Sequence, residues 1–138
     1  MVRITHAVDF SAAHQLIAPT LSEEENRALF GPCYRLHGHN YRVEATVEGP
    51  VESETGMVMN LNDLAGLMRS KIWDHVDHQN LNEDVPFLQG VITTAENLAI
   101  AFWNQLEPHR DRFGSARLVS VRVTETPGNH VEYRGESR

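Results

Sequence analysis

One cysteine in 138 residues excludes a disulfide within the chain and any multi-cysteine zinc cluster, so a metal site has to rest on histidine, aspartate or glutamate. Basic residues are scarce too: 12 Lys and Arg stand against 19 Asp and Glu, a formal net charge of −7. Broad nucleic-acid binding wants a basic face and is not expected. An anionic substrate held by a few local basic groups remains compatible with this balance. No stretch approaches the ~18 apolar residues of a membrane span, so no membrane partner is expected. The opening MVRITHAVDF lacks a basic region followed by an apolar run, and a soluble cytoplasmic protein is the expectation. No repeat, low-complexity tract or Gly/Ser/Pro linker divides the sequence, which at this length predicts one domain over residues 1–138. What the chain does have is eight histidines.

Hydrophobic periodicity organises the rest. Val2, Ile4, His6, Val8, Phe10, Ala12 and His14 share one parity, which predicts a long strand with one buried face. Residues 19–32 hold Pro19, the run Glu23-Glu24-Glu25 and Gly31-Pro32, and read as a loop with one short helical turn. Residues 40–48 alternate again, with Tyr41, Val43, Ala45 and Val47 on one face. Leu61, Leu64, Leu67, Met68 and Ile72 recur at helical spacing over 61–76, with Asn60 or Asn62 as cap. Thr93-Thr94-Ala95-Glu96 fits a capping box opening a second helix. Residues 118–125 alternate with Val119, Val121, Val123 and Glu125 on one face, and a TPGN turn at 126–129 leads to a hairpin partner at 130–134. The order strand, strand, helix, helix, strand, strand predicts an α+β fold: an antiparallel sheet with helices on one face.

His37-Gly38-His39 opens the second strand. Residues i and i+2 of a strand point to the same side, so both imidazoles can converge on one point, and the intervening glycine lets the backbone approach closely. A third ligand is needed. If the first two strands pair antiparallel, His14 at the end of the first faces both. Three neutral imidazoles with an open fourth position are the pattern of a catalytic zinc. Cys33 lies four residues before His37. It reads as a small buried hydrophobe, a fourth ligand or a general base. Asp74-His75-Val76-Asp77-His78 reads either as a solvated helix end or as imidazoles oriented by carboxylates. Glu125 on the valine face is costly unless paired, and adjacent N–H donors of a guanidine-like ring edge would satisfy it.

Seven motifs in order, FSAAH (10–14), LSEEENRALFGPC (21–33), LHGHNY (36–41), GMVMNLNDL (56–64), VDHQNLN (76–82), TTAEN (93–97) and VTETP (123–127), cover nearly the whole chain. Together they resemble the 6-pyruvoyltetrahydropterin synthase family, which includes the 6-carboxytetrahydropterin synthases of queuosine biosynthesis. The resemblance implies the tunnelling fold: a four-stranded antiparallel sheet with two helices on one side, sheets joined into barrels in trimers or hexamers, and active sites at subunit interfaces. Carried over position by position, it implies Zn2+ on His14, His37 and His39. It makes Cys33 the catalytic cysteine and Asp77 and His78 an aspartate–histidine relay. Glu125 becomes the anchor of the pterin ring, with Glu96 near the pocket. The implied substrate is 7,8-dihydroneopterin triphosphate, which loses triphosphate while protons shift within the pterin, with no redox cofactor.

Two products are open to such an enzyme. LSEEEN, GMVMNLNDL and DVPFLQGVITTAEN look like the biopterin type, which keeps the side chain as 6-pyruvoyl. The three residues between Cys33 and His37 are the short form of the queuosine type, which releases acetaldehyde and leaves a 6-carboxy group. The extent of match favours the pyruvoyl product. A non-catalytic metal- or pterin-binding protein of the same fold is the more remote reading. His6, His75, His109 and His130 receive no role.

Overall fold

Strict alternation becomes strand β1 (Val2–His14), and the second alternating run becomes β2 (His37–Gly49). Helix α1 (Glu23–Phe30) lies between them. The computed structural model describes residues 1–136. Helix α2 (Leu61–Met68) runs through one wide π turn, Arg69–Trp73, into α3 (Asp74–Val76), forming a rod over the span expected to be helical. Strand β3 (Gln79–Asn80), helix α4 (Ala95–Leu106), β4 (Arg117–Thr126) and β5 (Asn129–Tyr133) complete the order. The sheet reads β3-β1-β2-β4-β5, and the expected α+β class holds.

Four details depart from expectation. The sheet has five strands rather than four: Gln79 and Asn80 pair parallel to Ala12 and Ala13. Two residues leave no periodic trace in a sequence. The supposed loop 19–32 holds a two-turn helix, because Ser22 and Glu25 cap it reciprocally, each side chain bonded to the other's backbone N–H. Helix α4 is capped by Thr94, whose hydroxyl accepts from the Asn97 amide at 3.2 Å, so the Thr93–Glu96 capping box does not form. Finally, the β2–β4 register shifts at Thr46/Val47, and this bulge exchanges faces near the start of β4. Leu118 enters the core while Val119 is only partly buried.

The inward face of β1 and β2 packs on the rod and on α4. Phe10, Tyr41, Val43 and Ala45 meet Leu64, Leu67, Ile72, Leu98 and Phe102, all at 3% exposure or less. Each large apolar side chain so buried contributes on the order of 1.5–3 kcal/mol. Phe10 stacks on Tyr41 with centroids 4.9 Å apart and meets Phe102 edge-on at 5.9 Å. The outward face is polar, carrying the ion pairs Arg42–Asp9, Arg122–Glu44 and Arg3–Glu48–Arg117. Because they are largely exposed, these pairs add little stability. No helix among the described residues is long and apolar enough to cross a membrane.

Candidate metal centre

Thirteen residue pairs run from Val2↔Gly49 to His14↔His37. The register therefore sets the last residue of β1 directly against the first of β2, with His39 two residues further on the same face. Gly38 permits the approach, since a Cβ there would stand 3.3 Å from the Ala12 carbonyl oxygen. The ligand atoms of His14, His37 and His39 lie within 4.8 Å of one another, and no other described residue joins that group. The ring centroids are 4.6, 4.9 and 5.2 Å apart.

Backbone carbonyls turn two of the rings. His14 Nδ1–H donates to the Thr93 carbonyl at 2.9 Å, and His37 Nδ1–H donates to the Arg35 carbonyl at 2.6 Å. A carbonyl only accepts, so each Nδ1 holds the proton and each Nε2 presents a lone pair. His14 Nε2 and His39 Nε2 are buried with no hydrogen-bond partner. Buried polar atoms without partners are rare, and a metal ion at their convergence would satisfy both. The donor set of three neutral imidazoles fits a zinc-type ion with an open position.

Burial also depresses the basicity that would compete with a metal. His14 is held down to about 4, chiefly by desolvation and further by the neighbouring histidines, against the bond to Thr93. His39 is lowered mainly by burial, with Glu125 pulling the other way. The unfolded chain takes up a proton near 6.5 while folded His14 resists it until about 4. The contribution of His14 to the stability of the metal-free protein is thus fully present above about 6.5 and lost progressively as pH falls toward 4. Thermal melts of chelator-treated protein are expected to show a lower midpoint at about pH 5 than at about pH 7.5. An unchanged midpoint would show that His14 is not buried neutral.

Other residues gather around this point. Glu125 sits where β4 bulges against β5 between Thr124 and Thr126, with Oε1 3.8 Å from His39 Nε2. The Tyr41 hydroxyl is buried without a partner, and burial together with the Glu125 charge pushes its pKa up. Thr93, fully buried, adds its hydroxyl 3.2 Å from His14 Nδ1. Sequence reasoning gave Thr93 the capping role and missed this one; the only available signal was the adjacent Thr94, which can cap in its place.

Cys33 lies in the tight turn Gly31–Tyr34 and is exposed. Its carbonyl accepts from the Leu16 amide at 2.9 Å, tying the turn to the chain just past β1. The thiol is outside the ligand group, which leaves it free for a role other than fourth ligand. Asp77 and His78 pair with each other: Asp77 Oδ2 accepts from His78 Nδ1 at 2.7 Å, and Asp77 Oδ1 from the Ser11 amide at 3.1 Å. Burial raises the Asp77 pKa, but these two bonds outweigh it and hold the carboxylate below its ordinary range. His78 adopts a left-handed backbone, φ 59°, the kind of strain that tertiary contacts must hold in place. Its imidazole is 81% exposed. It borders a cavity of about 500 Å³ lined also by Ser11, Ala13, Gly38 and Asn40, with Ala12 and His39 in the same wall. One chain therefore brings the metal ligands and Glu125 together, while Asp77 and His78 stand outside that group. Glu96, in the first turn of α4, is exposed and takes no hydrogen bond among the described residues. Asp74 and His75 stay at the rod's end, near Arg69 and Phe87 respectively.

The sequence profile of the family described as 6-pyruvoyl tetrahydropterin synthase matches residues 3–136. The 6-pyruvoyl tetrahydrobiopterin synthase of Dictyostelium discoideum is 43% identical over 135 residues, 98% of this chain and 97% of that one. The structure of Caenorhabditis elegans 6-pyruvoyl tetrahydropterin synthase superposes with a TM-score of 0.90 at 36% identity, covering 98% of this chain and 96% of the other. The 6-carboxy-5,6,7,8-tetrahydropterin synthase of Bacillus subtilis is more distant, 30% identical over 108 residues, 75% of this chain and 71% of that one.

Proposed function

Because the chain belongs to the 6-pyruvoyl tetrahydropterin synthase family, we propose that it is a zinc-dependent lyase of the cytoplasm converting 7,8-dihydroneopterin triphosphate to 6-pyruvoyltetrahydropterin and triphosphate. The observation that carries this reading is the convergence of three imidazoles with ligand atoms within 4.8 Å of one another, and with the Glu125 carboxylate 3.8 Å from one of them. A metal end and a ring-anchoring end thus lie side by side.

His14, His37 and His39 would hold the zinc, whose chemistry there is to draw electron density from side-chain hydroxyls and acidify the adjacent C–H. Glu125 accepts two ring N–H groups in a charge-assisted grip, with Glu96 nearby at the pocket's edge. The Cys33 thiolate takes the acidified proton. His78, its Nδ1–H committed to Asp77 at 2.7 Å, presents Nε2 to move a second proton. That pair stands outside its own chain's ligand group, which supports an assembly in which it serves a neighbour's site. The assembly we propose is a trimer or hexamer of single-domain chains, residues 1–138, with sheets joined into barrels.

The pyruvoyl product is favoured by the fuller match to the biopterin-type relative, 43% identity against 30%. The short Cys33–His37 spacing favours the 6-carboxy product. Mass spectrometry after incubation with 7,8-dihydroneopterin triphosphate separates them. 6-Pyruvoyltetrahydropterin is expected. Acetaldehyde with a 6-carboxy pterin would overturn the product assignment, and tight pterin binding with no triphosphate release would overturn catalysis itself.

A further inference from the structure

Past His14 the chain leaves the sheet, and connecting segments are ordinarily the mobile part of a fold. Residues 15–18 are instead clamped twice. The Gln15 amide donates to Asn82 Oδ1 at 2.8 Å, and Asn82 Nδ2 donates back to the Gln15 carbonyl at 2.7 Å. Ala18 is held the same way by Asn26, whose Oδ1 accepts from the Ala18 amide at 2.8 Å while its Nδ2 donates to the Ala18 carbonyl at 3.2 Å. Each asparagine side chain takes the place of a missing neighbouring strand. Both are themselves fixed. Asn26 is 3% exposed, and its Nδ2 also reaches the Leu21 and Ser22 carbonyls at 3.2 and 3.0 Å. The Asn82 amide donates to Asn80 Oδ1 at 2.9 Å.

Between the two clamps lies Leu16, whose amide donates to the Cys33 carbonyl at 2.9 Å. The turn that carries Cys33 buries none of its four residues, so packing does little to fix it and hydrogen bonds must. On its other side the Arg35 amide donates to the Pro32 carbonyl at 3.1 Å, and the Arg35 carbonyl accepts from His37 Nδ1 at 2.6 Å. The backbone at Cys33 is thereby tied to the chain two residues past one metal ligand and two residues before another.

Resting on the reading of Cys33 as the group that takes the proton, we propose that Asn26 and Asn82 are positioning residues: their clamps on Ala18 and Gln15 hold the Leu16 amide, and through it Cys33, at a fixed place relative to His14. A misplacement of about 1 Å at a reacting group can cost on the order of 10²-fold in rate, so the clamps act on kcat rather than on binding.

The test is a double-variant cycle on the metal-loaded protein. Asn82→Asp and Asn26→Asp each keep the accepting oxygen and remove the donor. Each should lower kcat by about ten- to a hundredfold, with KM and zinc content near wild type. Combined with Cys33→Ala, neither should add more than about twofold to the loss that Cys33→Ala causes alone, because a group that acts only through the thiol then has nothing left to position. Losses that multiply would overturn the proposal and make the asparagines general supports of the fold. Wild-type kcat in both folded single variants would overturn it as well. Cys33→Ala turning over at the wild-type rate would overturn the reading of Cys33, and this proposal with it. A measurement on the unaltered protein serves where neither variant folds. The Gln15, Leu16 and Ala18 amides should exchange with deuterium at least about 100-fold more slowly than in a free chain. Exchange at free-chain rates would mean that the clamps stand open, and would overturn the proposal.

Discussion

Replacing His14 with alanine is expected to reduce bound zinc from about one ion per chain to near none, since three ligands are the fewest that make a catalytic site. Turnover should fall with it. His14 sits at the centre of the arrangement: it is 1% exposed, its ring touches both other histidines, and the Thr93 carbonyl fixes its tautomer. Affinity should drop by more than the roughly 10–100-fold typical of losing an outer hydrogen-bond partner. The contrast is Thr93→Val, which removes the hydroxyl at 3.2 Å but keeps the carbonyl at 2.9 Å. That variant should retain metal, with affinity weakened by about tenfold at most. Elemental analysis of untagged protein and competitive chelator titration measure both. Full metal content in His14→Ala would remove it from the ligand set.

The second large effect belongs to the thiol. Cys33→Ala should lower kcat by about 10²–10⁴-fold, the usual share of a general base, while zinc content and pterin affinity stay near wild type. The separation is expected because Cys33 lies outside the ligand group, on an exposed turn joined to the chain just past β1 through its backbone carbonyl rather than its side chain. Single-turnover triphosphate release, measured beside metal content and pterin binding, checks the split. Wild-type turnover in Cys33→Ala would take the base role from it. Loss of zinc in that variant would instead make the thiol a ligand.

The metal centre was legible because a strand has period two. His37 and His39 had to share a side, and the buried face running from Phe10 to Ala12 carried His14 with them. One antiparallel pairing then closed the triangle. Glu125 was legible from its place on a valine face. Thr93 was not, because two adjacent threonines compete for one cap and sequence spacing cannot say that Thr94 wins it while Thr93 turns inward to His14. The face exchange of Leu118 and Val119 was hidden for a similar reason. A bulge is an event between two strands, and β4 alone continues to alternate through it. Helix α1 had a signal, Ser22 with Glu25, which the acidic run and flanking prolines obscured. That Asp77 and His78 stand outside the ligand group depends on where the helical rod ends against β1, a tertiary fact with no local pattern.

The thirteen-pair ladder of β1 and β2 has one more consequence. His14 and His37 occupy the final rung and His39 lies two rungs in, so a single-residue slip would send His14 and the His37–His39 pair to opposite faces of the sheet. A metal ion held by all three histidines would thus act as a proofreading signal: only a correctly zipped molecule would capture it, and the captured ion would lock the zip from its open end.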